Sequence, residues 1–540
     1  MVASFAQGGV TVAVAEPALV EATTATLDRA GKQSLAAAIV AKDATVWGPD
    51  AAALAATRLG WLDCATVSRP LMSEIAKLRL ELQASGVDRV VLAGMGGSSL
   101  APEVITGTYG VPLVVLDTTD PAQVSAAIVD LDRTVLVVSS KSGGTIETDS
   151  HRRVFEKAFR DNGIDPVERI VVVTDPGSPL DSTARDAGYR VFLADPNVGG
   201  RYSALTAFGL VPSGLAGVPV EELLDQAAAL APSLAADDGP AVALGAALGG
   251  YGDAGHDKVV LVDAGSGMAG FGNWAEQLIA ESTGKQGRGL LPVVVDDVDV
   301  ATYRPRADEH LVAIGPDSPL PDTTVDGPLG AQFLLWEFAT AVAGWALAID
   351  PFDQPNVQES KDNTKAVLEK AGDGPLPEGD PVFVDGAVEV HADRDLVGSA
   401  TDVDGVLDAL LAAVPDRGYL AVMAYLDRIA DADAASLRRT LAARLAHPVT
   451  FGWAPRFLHS TGQFHKGGPQ VGVFLQITGA HATDLDVPGQ PFTFGRLQLA
   501  QALGDLQALE SRQRPVVRLH LTDRAAGLQQ LLTAAAGKPV

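Results

Sequence analysis

Short hydrophobic runs alternate with amphipathic stretches between about residues 85 and 195. The runs are rich in β-branched residues and end in small or acidic ones: RVVLAG, VPLVVLDT, TVLVVSS, RIVVVTD and YRVFLAD. Continuous runs of this kind are typical of strands in a parallel sheet that helices cover on both faces. The pattern therefore predicts a doubly wound parallel sheet, which binds ligands at the carboxyl ends of its strands.

A second set of such runs begins after about residue 255, with KVVLVDAG, LLPVVVDDV and HLVAIG. Strand-like and helical patterns continue beyond residue 400, whereas the first 65 residues have a mainly helical pattern. We therefore expect an α/β fold with two doubly wound parallel-sheet lobes. The expected division is a helical N-terminal segment (1–65), a first α/β lobe (66–225), a second α/β lobe (226–400) and a C-terminal α/β extension (401–540).

The charge balance narrows the range of partners. The 540 residues include 40 basic and 67 acidic side chains, which gives a formal net charge of −27. Such a field repels nucleic acids and anionic membranes, so we expect neither as a partner. The hydrophobic stretch 330–349 contains Gln332 and Glu337, so it favours a buried helix over a membrane span. With no basic segment before the first apolar stretch, we expect a cytoplasmic protein.

The stretch VVSSKSGGTIET, residues 137–148, ends a strand-like run in hydroxyls, a lysine and two glycines. Ser140, Ser142 and Thr145, with Lys141 nearby, could hold a phosphate at the N-terminus of the following helix. The same residues could equally form an ordinary turn whose hydroxyls cap that helix. The glycine-serine loop GMGGSS at 94–99 follows another strand-like run and favours a phosphorylated ligand.

A nucleotide site is a serious alternative. Gly265, Gly267 and Gly270 form a literal G-x-G-x-x-G after KVVLVDA, and Asp296 ends the next hydrophobic run. Against this interpretation, the intervening helix carries the polar stretch NWAEQLIAESTGK, and the acidic residue comes later than is usual. The alternative predicts affinity for NAD.

Three further residue types suit proton-transfer chemistry. Glu281 lies near the end of a predicted helix, where the helix dipole disfavours a carboxylate and raises its proton affinity, as suits a general base. Arg201, between glycines and a tyrosine in VGGRYS, could stabilise an oxyanion. His459 and His465 lie in FLHSTGQFHKGGP. For each of them an ordinary surface position is the alternative.

Taken together, the motifs resemble the phosphoglucose isomerase (glucose-6-phosphate isomerase) family, and most closely the isomerase part of bacterial transaldolase–isomerase fusions. The matching pieces, in order between residues 94 and 361, are GMGGSSL, SSKSGGTIET, VGGRYSALTAFGL, AESTGK and PFDQPNVQESK. The resemblance implies two sugar-isomerase-type lobes and a homodimer. It also implies interconversion of glucose 6-phosphate and fructose 6-phosphate through ring opening and a cis-enediolate, without a metal or organic cofactor.

By position, the resemblance implies that Glu281 moves a proton between C1 and C2 of the sugar. Arg201 would stabilise the enediolate, and Lys361 would contact the ring or O5. The implied substrate contacts are small or polar residues of the glycine-rich motifs: Gly97, Ser98, Ser140, Lys141, Ser142, Thr145 and Gly200.

The ring-opening histidine of the family normally lies between the glutamate and lysine motifs, where this chain has only His310. LHSTGQF resembles the histidine motif of some bacterial members, but it lies after Lys361. Since the family takes this histidine from the neighbouring subunit, we expect His459 to open the ring, with His310 as the alternative. Asn356 and Gln358 stand where the family usually has glycine and glutamate.

Two alternatives stay open at this point. One is an enzyme that accepts mannose 6-phosphate as well as glucose 6-phosphate. The other is a non-catalytic protein that only binds a sugar phosphate. Glu281, Arg201 and Lys361 together argue against the second, because a sensor needs no general base.

Overall fold

The computed structural model describes residues 2–295, 305–316 and 322–537. They divide into two compact units. The N-terminal unit comprises the chain up to Asp117 together with Val129–Gln354, and the C-terminal unit comprises Thr118–Ile128 together with the chain from Pro355 onward. The expected division into four segments stays a prediction.

The strands in the described residues are, in chain order, β1 (Ala3–Gln7), β2 (Val10–Val14), β3 (Arg89–Gly94), β4 (Val114–Leu116), β5 (Thr134–Ser139), β6 (Ile170–Thr174), β7 (Arg190–Leu193), β8 (Lys258–Asp263), β9 (Leu291–Val295), β10 (Glu309–Ile314), β11 (Thr323–Asp326), β12 (Phe383–Asp385), β13 (Val388–Ala392), β14 (Tyr419–Tyr425), β15 (Val449–Trp453), β16 (Gly472–Gly479) and β17 (Val516–Leu521).

The helices are α1 (Pro17–Lys32), α2 (Leu35–Val40), α3 (Pro49–Ala55), α4 (Cys64–Val67), α5 (Leu71–Ala84), α6 (Leu100–Thr108), α7 (Pro121–Ala127), α8 (Ile146–Asp161), α9 (Pro179–Ala187), α10 (Ala207–Ala216), α11 (Val220–Leu230), α12 (Pro240–Asp253), α13 (Phe271–Thr283), α14 (Leu329–Ala346), α15 (Pro355–Ala371), α16 (Arg394–Val397), α17 (Val403–Ala412), α18 (Ser436–Ala442), α19 (Gly462–Gly467), α20 (Phe494–Glu510) and α21 (Arg524–Ala536).

The first sheet of the N-terminal unit is parallel throughout, with strand order β4-β3-β5-β6-β7. This confirms the predicted parallel sheet. The chain runs from β3 outward to β4, returns to β5 on the other side of β3, and continues outward to β7. Neighbouring crossovers therefore leave β3 and β5 in opposite directions, which opens a crevice at the carboxyl ends of these two strands.

The second sheet of this unit has the order β1-β2-β11-β10-β8-β9. The strands β8 to β11 are parallel, whereas β1 and β2 pair antiparallel and extend the sheet at β11. The first 65 residues therefore contain two strands besides their helices, so the expectation of a mainly helical pattern there missed this hairpin. The fold as a whole is mixed α/β with parallel-sheet lobes, as expected.

The hydrophobic stretch at 330–349 forms most of α14, a buried helix whose residues are covered except at Trp345. Glu337 in its middle is 1% exposed, and burial raises the pKa of its carboxyl well above the usual value. The expected buried helix is confirmed. Among the described residues, no helix combines the length and apolar character that crossing a bilayer requires.

The C-terminal unit has a sheet of its own, with strand order β12-β13-β17-β16-β14-β15. The strands β14 to β17 are parallel, and β12 and β13 add an antiparallel edge. A separate hydrophobic core packs between this sheet and its helices, with Val422, Leu475 and Leu519 in the strands and Leu407 and Leu531 in the helices.

Candidate functional site

Two glycine-rich loops flank the crevice between β3 and β5. Gly94 at the end of β3 is paired with Ser139 at the end of β5, so the loops that follow begin side by side. The first forms a 3₁₀ turn, Gly96–Ser98, and leads into α6. The second leads into α8, which begins at Ile146. Both predicted phosphate-binding segments therefore lie at the position where doubly wound sheets bind ligands.

The loop between β5 and α8 is organised by its own hydroxyls. The hydroxyl of Ser140 donates to Thr145 Oγ1 at 3.1 Å, and the amide of Gly144 donates to Ser142 Oγ at 3.3 Å. Thr145 is the N-cap residue of α8, but its side chain makes no capping hydrogen bond. The alternative in which this hydroxyl serves to cap the helix is therefore wrong, and the N-terminal end of α8 faces the loop with its partial positive charge.

Lys141 differs from the other residues of this loop, because its ammonium is ion-paired with Asp175, just beyond the end of β6. Burial lowers the pKa of Lys141, and the nearby carboxylate opposes this change. The hydroxyl of Thr174 also donates to the carbonyl of Ser140 at 2.7 Å. Lys141 and Thr174 thus fasten the loop to the neighbouring strand.

The first glycine loop lies directly against the VGGRYS motif. A Cβ built on Gly97 would lie 1.9 Å from the carbonyl oxygen of Gly200 and 3.1 Å from the amide nitrogen of Arg201. Only glycine permits this backbone approach at position 97. Ser98 beside it is buried. The contact places Arg201, in the 3₁₀ turn Gly200–Tyr202, next to the crevice.

Arg201 and Glu281 form a buried ion pair. Nη1 of Arg201 lies 3.3 Å from Oε1 of Glu281, and the two side chains are 2% and 6% exposed. Glu281 lies in the last turn of α13, and Gln277, one turn earlier, donates from Nε2 to its other oxygen at 3.1 Å. The surface alternatives for Arg201 and Glu281 are therefore wrong.

The remaining donors of Arg201 hold it in place. Nε donates to the hydroxyl of Ser282 at 2.7 Å, and Nη2 donates to the carbonyl oxygens of Pro351 at 2.6 Å and Asp353 at 3.1 Å. Nη1 also donates to Oε1 of Gln354 at 2.6 Å. These contacts fix the plane of the guanidinium, so that its position beside Glu281 is set before any ligand binds.

Sequence reasoning missed Lys285, the last residue of the AESTGK motif. Its Nζ donates to the carbonyl oxygens of Asp350 and Asp353 at 2.7 Å each and pairs with the carboxylate of Asp353. Burial, reinforced by the charge of Arg201, lowers the pKa of Lys285 to about 8. Two buried cations therefore hold the segment 350–354. The sequence signal that could have identified Lys285 was its place in the same AESTGK motif as Glu281.

Lys361 and His459 lie in the C-terminal unit, on α15 and at the end of the 3₁₀ turn Arg456–His459. Their motifs are joined by a reciprocal pair: the amide of Asn356 donates to Gln463 Oε1 at 2.9 Å, and Gln463 Nε2 donates to Asn356 Oδ1 at 2.8 Å. Asn356, one of the two departures from the family motif, thus binds the segment LHSTGQF. His465 is buried, so the alternative of a surface position is wrong for this residue.

His310 lies inside the second sheet of the N-terminal unit. It is 0% exposed, and its Nε2 lies 2.8 Å from the hydroxyl of Thr323 on the adjacent strand. Burial lowers the pKa of His310 to about 3, and the nearby His256 adds to this change. A histidine with so low a pKa stays neutral near pH 7 and is poorly suited to exchange protons with a ligand.

Comparison with known proteins agrees with these motifs. No family model matches the chain. A "Probable glucose-6-phosphate isomerase" from Haloarcula marismortui is 38% identical over 218 residues, which cover 38% of this chain and 49% of that protein. A protein of the same description from Natronomonas pharaonis is 32% identical over 314 residues, covering 52% of this chain and 70% of its own length. The chain belongs to the glucose-6-phosphate isomerase family.

The similarity to these proteins covers different shares of the chain and of the matched proteins. The matches span about half the length of the first curated relatives, 49% of the Haloarcula protein and 44% of a glucose-6-phosphate isomerase from Cyanothece. Two solved structures share the fold, each with a TM-score of 0.55 and each covering 68% of this chain. They are a hypothetical protein from Thermus thermophilus, 23% identical and matched over 100% of its length, and a glucose-6-phosphate isomerase from Chlamydia trachomatis, 18% identical and matched over 90%.

The structure shows only some of the features that the alternative of a nucleotide site requires. Gly265, Gly267 and Gly270 all have positive φ, and α13 starts at Phe271 directly after them. Asp296, the acidic residue that this alternative requires, lies outside the described residues. Within 2–295, 305–316 and 322–537, no group of three or more His, Cys, Asp or Glu side chains is arranged to hold a metal ion.

Proposed function

We propose that the chain is an aldose–ketose isomerase that interconverts glucose 6-phosphate and fructose 6-phosphate through ring opening and a cis-enediolate. One observation carries the proposal: a buried carboxylate, Glu281, is paired with a fixed guanidinium, Arg201, next to the glycine-rich loops. Proton transfer beside a carbonyl needs a base within reach of the carbon and a cation for the oxyanion that forms. The pair supplies both.

In the proposed reaction, Glu281 removes the proton from C2 of the open-chain aldose and returns it to C1, while the proton of the C2 hydroxyl moves to O1, so that the carbonyl passes from C1 to C2. The charge that develops on the enediolate oxygens is stabilised by Arg201, whose orientation is already set by Ser282 and the segment 351–354. The hydroxyls of the loop 140–145 and the N-terminal end of α8 hold the phosphate. Ring opening is assigned to His459 and Lys361, and we propose that the enzyme is a cytoplasmic homodimer.

The deciding experiment is an assay with fructose 6-phosphate, coupled to oxidation of the glucose 6-phosphate formed. Glu281→Gln should reduce turnover by a factor of about 10² to 10⁴, the usual contribution of a general base, while substrate affinity changes little. The matched control is Glu276→Gln, the same change at a more exposed position of α13. Near-normal turnover in Glu281→Gln would remove Glu281 from this role. Binding of the sugar phosphate without turnover by the unaltered chain would favour a sensor.

The same assay, run with mannose 6-phosphate, separates a strict glucose-6-phosphate isomerase from an enzyme of dual specificity. These two sugars differ in configuration at C2, the carbon from which Glu281 would take the proton. Equal rates with both would support the dual enzyme.

A further inference from the structure

The sheet of the C-terminal unit has a crevice of its own. The chain passes from β14 to β15 on one side, then returns to β16 on the other side of β14 and continues outward to β17. Consecutive crossovers therefore diverge at β14 and β16, as they do at β3 and β5 in the first sheet. In doubly wound sheets ligands bind outside the carboxyl ends of the strands at this point.

A cavity of ≈ 340 Å³ opens at this position in the C-terminal unit. The residues that line it include Tyr425 at the end of β14, Thr478 near the end of β16 and His520 on β17, together with His481, Gln498 and Leu499. The volume lies within the range of small-molecule sites. Neither Lys361 nor His459 lines the cavity, so the residues assigned to ring opening do not account for it.

Gln498 is the side chain that points most directly to a ligand. It lies in the second turn of α20 and is 2% exposed, yet its Nε2 has no hydrogen-bond partner among the described residues. Buried amide donors are nearly always paired, because an unpaired one loses its hydration without compensation. An acceptor oxygen on a molecule in the cavity would satisfy this donor.

The two histidines in the wall already have partners on Nδ1. Nδ1 of His520 lies 3.0 Å from the hydroxyl of Thr478. Arg524 donates from Nη2 towards Nδ1 of His481 at 2.9 Å, so His481 carries its proton on Nε2. Burial lowers the pKa of both His481 and His520, and the neighbouring Arg524 and Arg518 respectively add to the change. Both imidazoles are therefore uncharged at neutral pH.

The charged groups of the wall do not favour an anion. The guanidinium of Arg496 donates to the carbonyl oxygens of Gly372 and Gly374 at 2.7 Å each. The carboxylates of Glu378 and Asp484 also line the cavity, and Glu378 is paired with Arg518 at 3.8 Å, so the lining carries no excess of positive charge. A phosphate would find no surplus cation here, whereas the neutral donors and the carboxylate acceptors both suit hydroxyl groups.

We propose that this cavity is a second ligand site, which binds a small uncharged molecule rich in hydroxyl or carbonyl oxygens, such as a sugar without its phosphate. Gln498 donates to one oxygen of the ligand, and Thr478 and the imidazoles bind others. Leu376 and Leu499 contact the C–H groups of the ligand. This site does not depend on the isomerase function proposed above.

Isothermal titration calorimetry of the full-length chain tests the proposal with three uncharged probes, D-glucose, myo-inositol and uridine, and with inorganic phosphate. At least one uncharged probe should bind saturably, one per chain, and its Kd should rise roughly tenfold in Gln498→Leu, the scale of one lost hydrogen bond in a buried site. Gln507→Leu, at an exposed position of the same helix, is the matched control. Binding should persist in Arg201→Met, measured where this variant is folded, because Arg201 lies in the N-terminal unit and every residue that lines the cavity lies in the C-terminal unit.

Thr478→Val gives an independent readout if Gln498→Leu does not fold, because it removes a wall hydroxyl and keeps the volume. No saturable binding of any uncharged probe would overturn the proposal. So would an affinity that is the same in Gln498→Leu and Gln507→Leu, or inorganic phosphate as the sole probe that responds to Gln498→Leu.

Discussion

The guanidinium of Arg201 lies 3.3 Å from the carboxylate of Glu281, and solvent reaches almost none of either side chain. The two residues are 80 positions apart in the sequence, and they meet because the backbone at Gly200 packs directly on Gly97 while α13 ends beside it. A pair of opposite charges in such a place is stable only when both members are present. The geometry that suits catalysis is therefore also a requirement of the fold.

Removing one member of this pair should cost much of the stability of the N-terminal unit. Arg201→Met leaves Glu281 buried without its cation, and breaking a buried pair in this way costs about 3–5 kcal/mol. Urea unfolding measures the loss. Arg190→Met is the control, since Arg190 and Glu81 form an exposed pair whose loss should cost about 1 kcal/mol at most. The double change Arg201→Met with Glu281→Gln should recover part of the stability. Equal losses in Arg201→Met and Arg190→Met would contradict a buried pair.

The pKa of Lys285 predicts how stability changes in alkaline solution. Because its pKa is lowered from 10.5 to about 8 in the folded protein, the unfolded chain binds more protons between these pH values. The free energy of unfolding should therefore gain a positive contribution as pH rises through this window, by about 3 kcal/mol at most. Below pH 8 both states are protonated and the contribution is flat.

Denaturant unfolding at intervals from pH 7 to pH 10.5 gives the free energy of unfolding of the unaltered chain and of Lys285→Met as a function of pH. The difference between the slopes of these two curves measures the contribution of Lys285. The rise of the free energy of unfolding with pH should be smaller in Lys285→Met than in the unaltered chain. It should be unchanged in Lys365→Met, which alters an exposed lysine of α15. Parallel curves for the unaltered chain and Lys285→Met would show that Lys285 titrates as in an unfolded chain.

The contact between the two glycine loops predicts opposite outcomes for two similar changes. Gly97→Ala would place a methyl group 1.9 Å from the carbonyl oxygen of Gly200, so the backbone must move, and we expect a loss of about 1–3 kcal/mol. Gly200→Ala is the control, because a Cβ at position 200 would have no heavy atom within 4 Å beyond its chain neighbours. Thermal unfolding of both variants provides the comparison. Similar midpoints for the two would mean that the loops do not touch as described.

Much of the fold could be predicted from the sequence, because strands covered on both faces appear as continuous hydrophobic runs that need no knowledge of the rest of the chain. The hairpin of β1 and β2 was missed although Gly8 and Gly9, both with positive φ, separate two short runs, which is a recognised hairpin signal. The prediction for residues 1–65 was a mainly helical segment, which did not include this hairpin.

The candidate site could be predicted only in part. Glu281 and Arg201 were identified from their motifs, but the burial that pairs them depends on contacts between distant segments, which no local pattern reveals. The same holds for Lys285, whose carbonyl partners lie 65 and 68 residues away, and for the pairing of Asn356 with Gln463 over 107 residues. The glycines around His465 are typical of a surface loop, which was the alternative for this residue, whereas it lies in α19, packed against Tyr419 and Phe474.

The last prediction concerns the two candidates for ring opening. His459→Ala should lower kcat/KM for the cyclic sugar phosphate by a factor of about 10² to 10⁴, since general acid–base catalysis of the ring cleavage is lost. Its effect should be much smaller on an analogue that lacks the hydroxyls needed to close the ring. His310→Gln is the comparison, because His310 is buried against Thr323 and its low pKa keeps it neutral. That change should lower the thermal midpoint and leave kcat/KM of the folded fraction within a factor of about 3. A larger catalytic loss in His310→Gln than in His459→Ala, measured on folded protein with the cyclic sugar, would transfer ring opening to His310.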